Sequence, residues 1–142
     1  MKAAKQGHAV AQFTVAAMYD DGYGVPRDLS RAMEWYLRAS DHGHTVAQFS
    51  IGVMYDEGEG VIQDYYIAAD WFSKAAEQGH AMAQYNLGLL YQLGRGVPLD
   101  SSSAVKWYME AADQGLAQAR YYIALLYHDG DIIPRDKHMA KE

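Results

Sequence analysis

One segment decides the fold: residues 81–115 read AMAQYNLGLLYQLGRGVPLDSSSAVKWYMEAADQG. In its first part, small or apolar residues recur at the spacing i, i+4, i+7 and i+8, at Ala83, Leu87, Leu90 and Tyr91. In its second part, the spacing is i, i+3, i+4 and i+7, at Ala104, Trp107, Tyr108 and Ala111. Both spacings place the residues on one face of a helix. The segment therefore predicts helix A near residues 81–93 and helix B near residues 100–114.

The break between the two helices is the stretch Gly94-Arg95-Gly96-Val97-Pro98. Gly94 is suited to the left-handed conformation that ends many helices, and Pro98 cannot continue one. Asp100 follows and can cap the amino end of helix B. The segment is therefore a helical hairpin, which closes at Gly115.

The same hairpin recurs every 36 residues, as the glycines at positions 7, 43, 79 and 115 show. A fixed period of this length predicts a solenoid of stacked hairpins. The predicted units are residues 8–43, 44–79, 80–115 and a truncated 116–142, with residues 1–7 as the end of a preceding helix B. We expect one repeat domain, cut from a longer array, with a second helix starting near Asp136.

Small residues predict where the helices approach most closely. One position in the middle of helix A carries Ala16, Gly52, Gly88 and Ala124. Glycine inside a helix costs about 1 kcal/mol relative to alanine, so we expect backbone to meet backbone here. The tryptophan and tyrosine rings, with the tryptophans at positions 35, 71 and 107, are expected to fill the wider gaps.

Composition excludes several classes of function. The chain has 142 residues, 12 basic and 18 acidic side chains, and no basic run, which disfavours nucleic acid as a partner. Cysteine is absent, so disulfides, thiolate zinc sites and thiol nucleophiles are excluded together. No apolar stretch reaches the ~18 residues of a membrane span, and residues 1–6 lack signal-peptide character. We expect a soluble chain without membrane insertion, and its compartment stays open.

The hairpin resembles the Sel1-like repeat, a branch of the tetratricopeptide-repeat superfamily. The resemblance rests on residues 81–91, the Gly-x-Gly-Val turn, the Trp-Tyr step at 107–108 and the 36-residue period. It implies an all-α fold, a right-handed α-α superhelix of antiparallel helix-turn-helix repeats with helix A on the concave side. It also implies a protein-binding adaptor without catalytic activity. Local departures from the family pattern are Ile62 in the second unit and Arg120 and Ile132 in the last unit, which is therefore the least regular.

Differences between the units indicate which residues are free to bind a partner. Positions that stay constant repeat one packing role, whereas the positions of helix A that change share one face. An aromatic position lies beside them, and the resemblance implies that this surface faces the ligand. We call the candidate partner-binding residues the helix A face: Phe13, Thr14, Asp20, Asp21, Phe49, Ser50, Asp56, Glu57, Met82, Tyr85, Asn86, Leu89, Gln92, Tyr121, Tyr122, Leu125 and His128.

The helix A face changes character along the chain. Its first half carries the acidic residues of this set, and its second half carries Tyr122 and the leucines at positions 89, 93 and 125. This gradient predicts a partner segment that is basic at one end and apolar at the other, either an extended peptide or an amphipathic helix. The alternatives are an acidic surface that is merely solvated and an aromatic position that packs between units.

Residues that could support chemistry are few. His8, His44 and His80 each begin a helix A, and stacked helices would place them about 10 Å apart, so we expect them to build turns and not to share a metal. The serines at 101–103 begin a helix and have no evident base. We expect no catalytic residue, metal or cofactor. Besides the adaptor, two functions stay open: an assembly segment that self-associates through exposed terminal units and, ranked last, a hydrolase as suggested for cysteine-rich relatives.

Overall fold

The computed structural model describes residues 2–129, and it describes side chains for residues 8–128. These residues form seven α-helices and no strand. The helices are α1 (Lys2–Asp21), α2 (Leu29–Asp41), α3 (Thr45–Glu57), α4 (Tyr65–Glu77), α5 (Ala81–Leu93), α6 (Ser101–Asp113) and α7 (Ala117–Asp129). The helices α1, α3, α5 and α7 are helix A of units 1 to 4, and α2, α4 and α6 are helix B of units 1 to 3. The predicted all-α fold and the predicted hairpin at 81–114 are confirmed.

The first helix departs from the prediction. Residues 1–7 were expected to end a separate helix B at Gly7, but α1 continues through Gly7 to Asp21. Continuing the hydrogen-bond ladder across one glycine costs only about 1 kcal/mol, and six residues are too few to hold a helix of their own. The expected second helix of unit 4, near Asp136, lies outside the described residues.

The predicted helix ends are formed by the predicted residues. An aspartate carboxylate caps each helix B, at Asp28, Asp64 and Asp100, by accepting backbone N–H groups of the first turn. Gly94 ends α5 in the left-handed conformation, with φ of 66°, and its N–H donates to the Leu90 carbonyl. The hairpins are therefore specified locally, by a cap on each side of the turn.

Packing follows chain order. All extensive contacts join consecutive helices, first within each hairpin and then from helix B to the next helix A. Each of the three buried clusters combines residues of a helix B with residues of the following helix A. The alanines of helix B at positions 32, 39, 68, 75, 104 and 111 have no exposed surface. The described chain is thus a solenoid whose core is continuous from unit to unit.

The small position of helix A faces an aromatic ring. A Cβ atom added to Gly52 would lie 2.7 Å from Cδ1 of Phe72, and one added to Gly88 would lie 2.8 Å from Cδ1 of Tyr108. The expected close approach is therefore present, but the expectation that backbone meets backbone is mostly wrong. The glycines make room for the helix B ring, and only Gly88 also approaches a carbonyl, that of Ala104, at 3.1 Å.

The ring that fills the core is not the tryptophan. Tyr36, Phe72 and Tyr108 are 3%, 1% and 0% exposed, whereas the tryptophan before each of them is half-buried. Each tryptophan carries a cation over its ring, with Lys74 Nζ, for example, 4.3 Å from the ring centroid of Trp71. The tryptophans therefore lie at the edge of the core, where an aromatic body stays covered by a long basic side chain.

Glutamines connect the two helices of a hairpin, and one of them also connects two units. Gln78 donates from Nε2 to Oε1 of buried Gln48 at 2.7 Å, and Gln114 donates in the same way to buried Gln84 at 2.9 Å. Gln84 in turn donates to the Ala76 carbonyl of the preceding unit at 3.1 Å. The equivalent Gln12 Oε1 is buried and accepts no hydrogen bond from the described residues. The recurring glutamine therefore joins the two helices of its own hairpin, and in unit 3 also the preceding unit, instead of facing a partner.

Candidate functional site

None of the seventeen residues of the helix A face is buried. Thr14, Asp21, Glu57, Tyr121 and His128 are exposed, and the other twelve are half-buried. Other positions on the same helices are buried, as at Ile51 and Leu87, which are at most 1% exposed. The positions selected by their differences between units are therefore all accessible, although residues can also differ inside the core, as the equivalent Met54 and Leu90 do.

The aromatic position of the helix A face is mainly a packing position. The rings of Phe13, Phe49 and Tyr85 each lie 5.7–5.8 Å from the buried ring of helix B in their own unit. Phe13 and Phe49 also stack on a histidine of the next unit at 4.6 Å. The fourth member, Tyr121, is 62% exposed. These contacts favour packing between units at this position.

Each unit places the last turn of helix A beside the buried ring of helix B. In unit 1, the Tyr36 hydroxyl donates to Oδ2 of Asp20 at 2.8 Å, and in unit 3 the Tyr108 hydroxyl donates to Oε1 of Gln92 at 2.6 Å. Burial raises the pKa of both tyrosines, so both hydroxyls keep their protons. Unit 2 has Phe72 at this position and therefore has no hydroxyl to offer to Asp56.

The acidic half of the helix A face is only partly neutralised. Arg27 forms an ion pair with Glu59 at 3.4 Å, and Arg27 Nε donates to the Asp20 carbonyl at 2.8 Å. A hydrogen bond with Glu59, followed by burial and by the negative charge nearby, raises the pKa of Glu57. The turn of unit 2 therefore keeps a negative potential next to the helix A face.

The apolar half includes a cavity that sequence reasoning described only in part. The cavity measures about 300 Å³ and is lined by Gln92, Leu93, Leu99, Ser101 and Leu126. Leu93 and Leu99 are 46% and 69% exposed. The prediction included Gln92 and placed Leu93 in the apolar half, but it missed Leu99, Ser101 and Leu126. A usable signal was present, because the equivalents of Leu99 are the polar Arg27 and Gln63.

Four tyrosines meet where units 3 and 4 pack together. The ring of Tyr122 lies 5.8 Å from Tyr85, 5.9 Å from Tyr108 and 5.6 Å from Tyr121. Burial, then the charge of Tyr122, raises the pKa of Tyr85. Tyr122 is therefore half inside the packing of units 3 and 4, while Asn86, the equivalent residue of unit 3, makes no such ring contact.

The histidines at the start of helix A cap the helix. Nδ1 of His44 accepts the Ala47 N–H, and Nδ1 of His80 accepts the Ala83 N–H, both at 3.1 Å. His8 stacks instead on His42, with ring centroids 5.6 Å apart. Within the described residues, no group of three or more His, Cys, Asp or Glu side chains could hold a metal ion. The turn role predicted for His44 and His80 is confirmed.

These caps predict a pH-dependent stability. Burial lowers the pKa of His44 and His80, and protonation of Nδ1 would remove the acceptor from the cap. A pKa below the unfolded value of about 6.5 means that the stabilisation is complete above this pH and is lost as the pH falls through the folded pKa. We expect the free energy of unfolding, measured in urea, to fall below about pH 6.5, and to fall less in His80→Asn, which keeps a capping oxygen that does not titrate.

The comparison of slopes, and not of absolute stabilities, is the readout, because His80→Asn also loses the ring contact with Phe49. The variant His44→Asn should reduce the slope in the same way. Equal slopes for wild type and both variants would show that the caps do not titrate.

None of the helices in residues 2–129 combines the length and hydropathy that a membrane crossing needs.

Comparison with models of known protein families matches the sequence of this chain to one family. The family model described as Sel1 repeat matches residues 9–44, 45–80, 81–116 and 117–142. No curated protein sequence matches the chain significantly.

Two solved structures are similar over nearly the whole chain. One is c5321, described as a protective antigen present in uropathogenic Escherichia coli strains displaying an SLR fold, with 40% identity and a TM-score of 0.90 over 97% of this chain. The other is a Sel1 repeat protein from Oxalobacter formigenes, with 36% identity and a TM-score of 0.88 over 93% of this chain. The matched parts are 30% and 54% of those proteins, so this chain spans only part of their length. Helicobacter pylori cysteine rich protein B is similar in fold, with 20% identity and a TM-score of 0.68 over 82% of this chain and 90% of its own length.

Proposed function

The chain belongs to the Sel1 repeat family, and we propose that it is a non-catalytic scaffold that binds a protein or peptide on the helix A face. Sel1 repeat proteins generally act as scaffolds for protein–protein interactions and are generally not enzymes. The face and the partner of this chain are our proposal. A solenoid offers a long surface for this purpose, because each stacked unit adds one helix to it.

One observation carries the proposal. The residues of the helix A face lie at positions whose residue type differs between units, and all of them stay accessible on helices that are buried elsewhere, as at Ala47 and Ile51. The clearest case is the position occupied by Thr14, Ser50, Asn86 and Tyr122, since a polar residue there changes from unit to unit beside a constant core. Differing side chains on a repeated frame are what selective binding of an extended partner requires.

The catalytic alternative has little support in the described residues. The only serine there with a hydrogen-bonded carboxylate is Ser103, whose hydroxyl donates to Oδ2 of Asp100 at 2.8 Å. That aspartate caps α6, and its hydrogen bonds with Ser103 lower its pKa, which makes it a weak base. A nucleophile needs a base that is itself oriented, so we do not assign a hydrolase function to this pair.

The proposal predicts that Asn86→Arg abolishes capture of a binding partner. A long charged side chain at this half-buried position would obstruct the helix A face without entering the core. The control is Glu110→Arg, which also introduces an arginine but at an exposed position of α6 on helix B, and which changes the charge by more than Asn86→Arg does. We expect a pull-down from the native host to recover the same partner with wild type and Glu110→Arg, and to lose it with Asn86→Arg.

Thermal unfolding of both variants should stay within about 3 °C of wild type, which corresponds to less than ~1 kcal/mol. Capture that survives Asn86→Arg in a folded protein would place the binding surface elsewhere. Tyr122 is less suited to this test, because its ring contacts with Tyr85 and Tyr108 would mix binding with stability.

The assembly function has one observation in its favour. Ala11 of α1 is exposed, whereas its equivalents Ala47, Ala83 and Ala119 have no exposed surface, because a preceding helix B covers them. A helix of another molecule could cover Ala11 in the same way. Sedimentation velocity at increasing concentration tests this function: a rising sedimentation coefficient that Ala11→Arg abolishes would support it, and a constant one would exclude it.

A further inference from the structure

Unit 2 lacks a hydrogen bond that units 1 and 3 both have. Tyr36 and Tyr108 each donate a hydroxyl to the residue sixteen positions earlier, in the last turn of helix A. Phe72 and Asp56 occupy the equivalent positions of unit 2. The ring of Phe72 is buried like those of the tyrosines, at 1% exposed, so only the hydroxyl is missing.

The carboxylate of Asp56 is left without a hydrogen-bond donor from the described residues. Burial raises its pKa, since a half-buried carboxylate loses hydration that nothing replaces. The charge of Arg95 offsets part of this shift, but its guanidinium lies over the Tyr65 ring, 5.2 Å from the centroid. Asp56 is therefore an anion that would gain free energy from a cation or an N–H donor placed on the helix A face.

The apolar cavity lies one unit further along the same face. It is lined by Gln92, the equivalent of Asp56, and by Leu93, Leu99, Ser101 and Leu126. Stacked helices lie about 10 Å apart, so an extended chain of roughly three residues spans the distance from Asp56 to the cavity. The face thus offers an unpartnered anion and an apolar cavity at the spacing of one short peptide segment.

We propose that the partner is a protein segment that places a lysine or arginine on Asp56 and a large apolar side chain, about three residues away, in the cavity of Leu93, Leu99 and Leu126. This inference rests on the proposed function. It is more specific than that function, because it fixes the chemistry of two contacts. Charge complementarity selects the basic residue, and the exposed Leu93 and Leu99 select the apolar one.

The test selects binders from a phage-displayed library of random linear peptides. Wild type should enrich peptides with a basic residue and a large apolar residue at this spacing. Three variants then probe the best peptide: Phe72→Tyr, which restores the hydroxyl of Tyr36 and Tyr108; Asp56→Asn, which removes the charge without touching the core; and Leu99→Gln, which takes the residue of Gln63.

We expect each variant to weaken binding about tenfold. A tenfold loss corresponds to ~1.4 kcal/mol, the typical cost of losing a charge-assisted hydrogen bond or a buried apolar contact. Asp56→Asn, which removes the charge, should also reduce the loss of affinity with added salt, whereas Phe72→Tyr and Leu99→Gln, which leave the charge in place, should leave the salt dependence nearly unchanged. Replacing the basic residue of the peptide by glutamine should cost wild type about tenfold and Asp56→Asn almost nothing.

The outcomes separate the inference from the proposed function. Peptides without a basic residue, or full affinity in folded Asp56→Asn, would overturn the inference and leave the function intact, provided that Asn86→Arg still abolishes binding. Failure to select any peptide that binds wild type better than Asn86→Arg would overturn both. Self-association of wild type that Phe72→Tyr abolishes would identify a second copy as the occupant and would also overturn the inference.

Discussion

Gly88→Val is expected to lower the free energy of unfolding by about 3 kcal/mol and the melting temperature by roughly 10 °C. The Cβ alone would lie 2.8 Å from Cδ1 of Tyr108 and 3.1 Å from the Ala104 carbonyl, and valine adds two methyl groups beyond it. Tyr108 has no exposed surface, so its ring cannot move aside into solvent. The strain must therefore separate α5 from α6. Urea denaturation with the unfolding followed by circular dichroism measures the loss.

Gly88→Ala is the matched control, because the equivalent residue of unit 1 is Ala16, which is fully buried in a core that also contains Tyr36. Alanine gains about 1 kcal/mol of helix propensity, which offsets a small displacement of the ring. We expect Gly88→Ala to stay within about 1 kcal/mol of wild type. A valine variant as stable as the alanine variant would mean that α5 and α6 have room to spare.

The periodic features of the chain were predictable from sequence. The 36-residue period fixes the order of hairpins, and the caps at Asp100 and Gly94 act through the residues next to them, so each could be assigned without knowledge of the tertiary structure. The same holds for the helix A face, whose residues were selected from differences between units and are all accessible. Local chemistry and repetition therefore carried the fold.

Contacts between side chains of different helices were not predictable. Trp107 and Tyr108 are adjacent aromatic residues on helix B, and helical spacing alone does not determine which of them points at Gly88. The sequence likewise does not show that Phe72 deprives Asp56 of a hydroxyl donor. This becomes evident only from the hydrogen bond between Tyr36 and Asp20 at the equivalent positions. Gly7 failed as a helix end because a glycine stops a helix only where the following residues have another structure to join.

The candidate site was predicted in outline. Its accessible positions and its change from acidic to apolar follow from residue types. The contacts that distinguish one residue of the site from another cannot be predicted in this way. Phe13 and Phe49 pack between units, and Asp20 is occupied by a tyrosine hydroxyl, so these residues have less to offer a partner than Asp56 has. Whether an accessible residue also lacks a hydrogen-bond partner depends on its burial and on the neighbouring side chains, which the sequence alone does not reveal.

Tyr108→Ala is expected to cost about 4 kcal/mol, which is more than any change at the neighbouring Trp107. Tyr108 is 0% exposed, packs against Tyr85 and Tyr122, and covers Gly88, so its removal leaves a cavity between three helices. Trp107 is only half-buried, and its ring is covered on one side by the flexible Lys106. We therefore expect Trp107→Ala to cost about 2 kcal/mol, although tryptophan is the larger side chain.

Tyr108→Phe separates the two contributions of the tyrosine. It keeps the ring and removes only the 2.6 Å hydrogen bond to Gln92, and unit 2 already folds with Phe72 at this position. A loss of about 1 kcal/mol is expected, since Gln92 is half-buried and can turn to water. Chemical denaturation of the three variants at one pH gives the order. A greater loss for Trp107→Ala than for Tyr108→Ala would mean that the tryptophan, and not the residue after it, closes the core between units.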